Sequence, residues 1–299
     1  MKTTILLCAA VLTTQISIGQ TDFGPSPDRG ILTNPFMGSN SVVPQGFKFD
    51  IAAASPVYGD MNVPVYAWTS LSLAGVIQVG YSNEGYIGNL VGLTRACPGW
   101  DAKIQILRQR EELPSVALWI RGTIGWQKEE LGANDLWGKV PANSFFDVLW
   151  THYEFNSTAA GITFEPGLGE NIALNLSVGY RELESRDLWI VRVIYPGYGD
   201  SYHALSSDRV SLLEGSANLM IRPLPQLAVI LQAGTLPYYK LNQIALKLDQ
   251  GRAYLGAIGV RYSLPIPVFV DGYVKWHSNF NGQEDTQIRL GLSSEVDFH

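Results

Sequence analysis

The sequence predicts an all-β fold: a single antiparallel transmembrane β-barrel of about twelve strands (roughly ten to fourteen), with short turns at one end and long loops at the other. Three observations lead there. Segment after segment alternates apolar and polar residues with a period of two. Tight Pro-containing turns alternate along the chain with longer polar stretches. Aromatic residues on the apolar faces fall at two depths, about one membrane thickness apart.

Composition agrees with this. Charged residues are 16% of the 299-residue chain and hydrophobic residues 46%. Soluble domains carry roughly 25% charged residues, so this chain is short of groups with which to coat a soluble surface. No internal run approaches the ~20 apolar residues of a spanning helix, which leaves strands as the means of crossing a bilayer. The net charge of −6 argues against a nucleic-acid partner and names no other.

Taken in order, residues 1–19 read as a signal peptide. Lys2 supplies the positive end, residues 5–12 the apolar stretch, and Ser17-Ile18-Gly19 a cleavage site before Gln20. Cys8 lies early in the apolar run, behind Leu7, whereas a lipidation site wants a small residue before the Cys near the end of that run. Cleavage leaves Cys97 as the one cysteine, which excludes an intrachain disulfide and a Cys-based metal site. Residues 20–45, with Pro25, Pro27, Pro35 and Pro44, read as an irregular periplasmic lead-in able to plug part of a lumen. The barrel is expected over 46–299.

Strands are expected at roughly 46–55, 63–72, 76–83, 101–110, 115–126, 156–165, 171–182, 209–222, 227–236, 252–264, 268–277 and 287–298. The strictest alternation sets Ile172, Leu174, Leu176, Val178 and Tyr180 against Ala173, Asn175, Ser177, Gly179 and Arg181. The closing stretch sets Ile288, Leu290, Leu292, Ser294, Val296 and Phe298 against Arg289, Gly291, Ser293, Glu295 and Asp297. Two more segments are strand-like, 145–155 and 188–195. They read as extensions of neighbouring strands, and as separate strands they would make fourteen. Short turns fall near Pro114, Pro166, Pro223 and Pro225, and Pro265 and Pro267, where proline removes no ladder hydrogen bond. Longer segments at 84–100, 127–143, 182–208 and 236–251 read as the opposite, extracellular end. Phe164, Tyr262 and Phe298 lie close to the short-turn end. Trp126, Tyr180 and Trp276 lie about nine to eleven residues into their strands, roughly one tilted membrane crossing.

The polar faces carry both charge signs, and Lys103, Arg121, Arg181, Glu214, Arg261, Asp271, Lys275 and Glu295 are the candidate lumen-lining residues. Arg261, Asp271 and Glu295 are expected near the periplasmic rim, Lys103, Glu214, Lys275 and Arg181 further up, and Arg121 near mid-depth. Charges inside a barrel must be paired or wet. They are either salt bridges filling a closed barrel or the walls of a water-filled pore. Twelve strands enclose more than the eight-strand case that side chains fill. Inward Trp119, Leu255, Phe269 and Tyr273 are bulky, so a small cavity is expected.

The signal peptide, the alternating strands and the closing strand, with its terminal aromatic, resemble those of bacterial outer-membrane β-barrels. The closing strand is similar to the signal read by the barrel-assembly machinery, though His299 follows Phe298 and Ser293 stands where Gly is often found. The resemblance implies the outer membrane as location, with its lipids and that machinery as partners. Locally, Asp101-Ala102-Lys103-Ile104 and Glu112-Leu113-Pro114-Ser115-Val116-Ala117-Leu118 are similar to a strand–turn–strand of YjbH-like barrels linked to exopolysaccharide secretion. Those chains are usually longer and often lipidated.

The function expected is a channel or a transport or export component for a small solute or polysaccharide. The alternative is a closed structural or adhesive barrel whose loops bind a ligand, with Tyr195, Tyr198 and Tyr202 as the aromatic loop. An enzyme is not expected. An outer-membrane lipid hydrolase needs a Ser and a His together, yet adjacent His277 and Ser278 point to opposite faces. His203 lies in a loop beside Ser206 and Ser207 without a catalytic motif. No cofactor or metal site is expected.

Overall fold

The computed structural model describes residues 42–58, 65–82, 99–108, 114–131, 146–166, 168, 171–195, 209–242, 247–278 and 284–298; within these, side chains are described except at 124–131, 146–155, 183, 185–195, 210, 236–242, 247–253, 277, 278, 284 and 285. Twelve strands follow one another: β1 (Phe47–Tyr58), β2 (Tyr66–Leu73), β3 (Ile77–Ser82), β4 (Gly99–Leu107), β5 (Ser115–Leu131) and β6 (Phe146–Glu165). Then come β7 (Ile172–Tyr195), β8 (Arg209–Leu224), β9 (Leu227–Asn242), β10 (Lys247–Ser263), β11 (Val268–Ser278) and β12 (Glu284–Phe298). Each strand pairs antiparallel with its neighbours in sequence, and β1 pairs with β12 from Phe47↔Phe298 to Tyr58↔Ile288. That last ladder closes the barrel, so no sheet edge is left along it.

Polarity is inverted relative to a water-soluble protein. In β7, Asn175 and Arg181 face inward at 0% exposure, while Val178 and Tyr180 face outward at 53% and 49%. The same holds in β12, where buried Arg289 alternates with exposed Leu290 and Leu292. A polar interior inside an apolar exterior is favourable only where the surrounding solvent is hydrocarbon. The alternation in the sequence therefore encodes a membrane-facing wall, and the fold is a twelve-stranded transmembrane barrel.

The short turns, the start of β1 and the end of β12 lie at one rim. In the β2–β3 turn, Ala74 and Gly75 take positive φ, 52° and 67°. Val76 N–H closes the turn onto Leu73 O at 2.9 Å, and Ala74 N–H reaches Gly46 O at 2.7 Å. Gly75 meets a left-handed backbone position at no steric cost.

The opposite end differs from the sequence reading. Residues 127–131, 182–195, 236–242 and 247–251 belong to β5, β7, β9 and β10, not to loops. The segments 146–155 and 188–195 are continuous with β6 and β7 and pair with each other from Phe146↔Tyr195 to His152↔Trp189, so the strand number is twelve and not fourteen. Above a membrane neither face of a strand needs to be apolar, and the alternation that marks a crossing strand fades there. The remaining connections at this end, 59–64, 83–98, 132–145, 196–208, 243–246 and 279–283, lie outside the described residues.

Candidate functional site

The lumen is the place where this chain gathers polar chemistry, and two side-chain clusters occupy facing parts of its wall. In the first, Trp119 of β5 lies across β6 and β7. It has room because Gly161 and Gly179 carry no side chain: a Cβ there would stand 2.3 Å and 2.4 Å from the indole. Trp119 Nε1 donates to Ser177 Oγ at 3.0 Å, and Thr163 Oγ1 donates to the same oxygen at 3.1 Å. Gly179→Val is therefore expected to displace the indole and to cost about 1–3 kcal/mol by overpacking. Urea unfolding in lipid vesicles and the near-UV spectrum of the indole would measure both effects.

Arg121 stacks on this indole, its guanidinium carbon 4.6 Å from the ring centroid. A cation over an aromatic face is held by the ring quadrupole. From there Arg121 Nη2 donates to Glu214 of β8, passing the two intervening strands. Arg181 of β7 donates through Nε to Glu214 Oε2 at 2.8 Å and through Nη1 to Ser157 Oγ at 2.8 Å. All three charged side chains are buried. Beside them lies a cavity of about 10 Å³ bounded by Trp119, Arg121, Ser177, Glu214 and Ser216. That is about one water-sized probe and no more.

The second cluster centres on Arg289 of β12. Its guanidinium carbon lies 3.5 Å from the Tyr66 ring centroid and 5.8 Å from that of Tyr273. Nη1 donates to Tyr273 Oη at 3.1 Å, and Nε and Nη2 donate to Gln287 Oε1 at 3.0 and 2.7 Å. Trp68 packs with Tyr273, Ala52 and Ala54 alongside. Arg289 absent from the candidate set is the main omission of the sequence reading. Its place on the polar face of the closing strand was visible there; its cage, built from β2 and β11, was not.

Near the short-turn rim, Arg261 Nε donates to Asp271 Oδ1 at 2.7 Å, and Ser293 Oγ donates to Asp271 Oδ2 at 3.1 Å. Lys48 Nζ donates to Glu295 Oε1 at 2.6 Å and lies 3.7 Å from Asp297 Oδ2. Ser70 Oγ donates to Asp50 Oδ2 at 3.1 Å. The end of the lead-in docks here too. Val43 is buried; its N–H donates to Gln105 Oε1 at 3.0 Å, and its carbonyl accepts from Arg108 Nη2 at 2.9 Å.

All eight candidate lumen residues point inward. Arg121, Arg181 and Glu214 come together, Arg261 pairs with Asp271, and Glu295 pairs with Lys48. Lys103 and Lys275 are buried outside these groups. Arg121 stands in register with Arg181 through Ala159. Outside, Phe164, Tyr180, Tyr262, Trp276 and Phe298 are exposed. The side chain of Trp126 lies outside the described residues. Further aromatics join them: Phe47 stacks on Phe298 with centroids 5.1 Å apart, and Trp100 covers Gly122 on the outer face. Tyr254 is exposed on β10. The side chains of His203, Ser206, Ser207, His277 and Ser278 lie outside the described residues.

No protein-family model matches the sequence, and no curated protein matches it either. Among solved structures, the chain is similar to the translocator domain of autotransporter NalP from Neisseria meningitidis. The identity is 8% and the TM-score 0.48, over 83% of this chain and 86% of that one. It is also similar to the Pseudomonas putida toluene transporter TodX, at 11% identity and TM-score 0.47, over 92% and 94% of the two chains. A Pseudomonas aeruginosa FadL homologue follows at 9% identity and TM-score 0.42, over 85% and 90%. Likeness at this level carries no inference about cargo, and the barrel assignment rests on the strand pairing and polarity. The local similarity of residues 101–104 and 112–118 to YjbH-like barrels finds no support in these matches. The strand pairing and the inward polar residues define the class: a closed twelve-stranded transmembrane barrel with buried, mostly polar side chains on its inner wall.

Proposed function

We propose that this chain works in the outer membrane of a diderm bacterium as a transport or export barrel whose lumen is shut at rest by its own side chains. It would reach that membrane after cleavage near Gly19-Gln20, with β12 presented to the barrel-assembly machinery. The cargo is a small solute or a polysaccharide. The observation that carries the reading is the Arg121–Glu214 ion pair on its Trp119 platform. It ties β5 to β8 across two strands through side chains alone. Releasing it breaks no ladder hydrogen bond, so the plug can open while the wall stays intact. No enzymatic step is assigned to these residues.

Conductance in a planar bilayer tests this. Purified, refolded wild-type protein is expected to stay mostly closed, and Trp119→Ala to give discrete, frequent openings. Silence from both, in protein shown to be inserted, would sink the transport reading. It would favour the closed barrel, whose specific support is the paired extension of β6 and β7 above the crossing segment. Ligand binding lost on deleting 196–208 would then mark the upper end as the working surface.

A further inference from the structure

We propose that the solute passing this lumen carries negative charge, a step that rests on the transport reading above. The chain as a whole is acidic, with a net charge of −6. The buried charged side chains run the other way. Among the described residues they comprise seven cations and five carboxylates. The excess is not spread evenly along the barrel.

Depth can be counted in residues from the short-turn end of each strand. Within three positions of that end, among the described residues, lie Lys48 and Arg261 against Asp50, Glu165, Asp271 and the inward Glu295, a net charge of −2. Four or more positions in, among the residues whose side chains are described, lie buried Lys103, Arg121, Arg181, Lys275 and Arg289 against Asp101 and Glu214, a net charge of +3. The sign does not depend on the lysines. Arginine stays protonated at any accessible pH, and the three arginines of this zone alone outnumber its two carboxylates. Glu214 is in addition engaged by both Arg121 and Arg181, which leaves it little attraction for a passing cation.

Apolar walls of low dielectric constant focus such an excess into the lumen instead of letting water screen it. Moving Trp119 aside would open a water path past guanidinium groups whose fork of donors matches carboxylate and phosphate oxygens. An anion entering this zone gains partners. A cation entering it meets net repulsion. Rings of basic side chains select anions in pores on the same principle.

The test is the reversal potential of the full-length mature protein under a potassium chloride gradient, using Trp119→Ala, which is expected to open the lumen and does not change its charge. Phe269→Ala serves as a second opener should the first fail to insert. A chloride-over-potassium permeability ratio above one is expected, and it should fall when Arg289→Gln and Lys275→Gln are added to the opener. Potassium preference overturns the inference while leaving transport standing, as does a ratio that the charge substitutions do not move. Absence of conductance from both inserted openers overturns the transport reading and this inference together.

Discussion

Replacing Glu214 by alanine is expected to lower the unfolding free energy by about 3–5 kcal/mol, the range found when one partner of a buried ion pair is removed. The reason lies in what stays behind. Arg121 and Arg181 both direct guanidinium groups at this carboxylate, and all three groups are buried. Without Glu214, two positive charges remain in the lumen near one another, short of the group that offset their desolvation. Replacing the whole triad behaves differently. Arg121→Met, Arg181→Met and Glu214→Leu together leave no member of the triad charged, and such exchanges are commonly neutral or stabilising. Urea unfolding of the two variants in lipid vesicles separates the cases. A loss below about 1 kcal/mol for Glu214→Ala would place the triad in water, since exposed ion pairs contribute only that much. The lumen would then be open at rest, against the packing described above.

The same triad shows how far the sequence could be read. Alternation assigned Arg121, Arg181 and Glu214 to the inner face, because a period of two fixes which wall a residue faces. It could not bring them together. Arg121 meets Glu214 from three strands away, and that contact depends on barrel closure and on a Trp119 seated over two glycines. Gly161 and Gly179 carry no signal in an alternating pattern, since a glycine fits either face. Arg289 was missed for a related reason: its cage comes from β2 and β11, and only closure brings β2 round to it. The strand count was legible because each crossing strand repeats the same contrast between lipid and lumen. The upper ends of β5, β7, β9 and β10 were read as loops because that contrast stops where the bilayer stops.

Ile258→Arg gives the sharpest test of where the hydrocarbon lies. Ile258 faces outward on β10, midway between Tyr254 and Tyr262, and is 52% exposed. Four residues of strand separate it from each tyrosine, so the two rings stand about 26 Å apart along the strand at roughly 3.3 Å per residue. Tilted by about 40°, that is close to 20 Å of membrane depth, with Ile258 at its centre. A cation there is expected to cost about 2–4 kcal/mol, and the same cation at the tyrosine levels only about 0–1 kcal/mol. Unfolding of Ile258→Arg, Tyr254→Arg and Tyr262→Arg in one lipid would trace that profile. A soluble protein would show none of it. A half-exposed isoleucine on a wetted surface can take an arginine within about 0.5 kcal/mol, and the tyrosine positions would then be the costlier ones through lost ring packing. A maximum at Ile258 flanked by small effects requires an apolar layer centred on the barrel wall. A flat profile would remove the physical reason for the inverted polarity and, with it, the membrane assignment on which the functional reading stands.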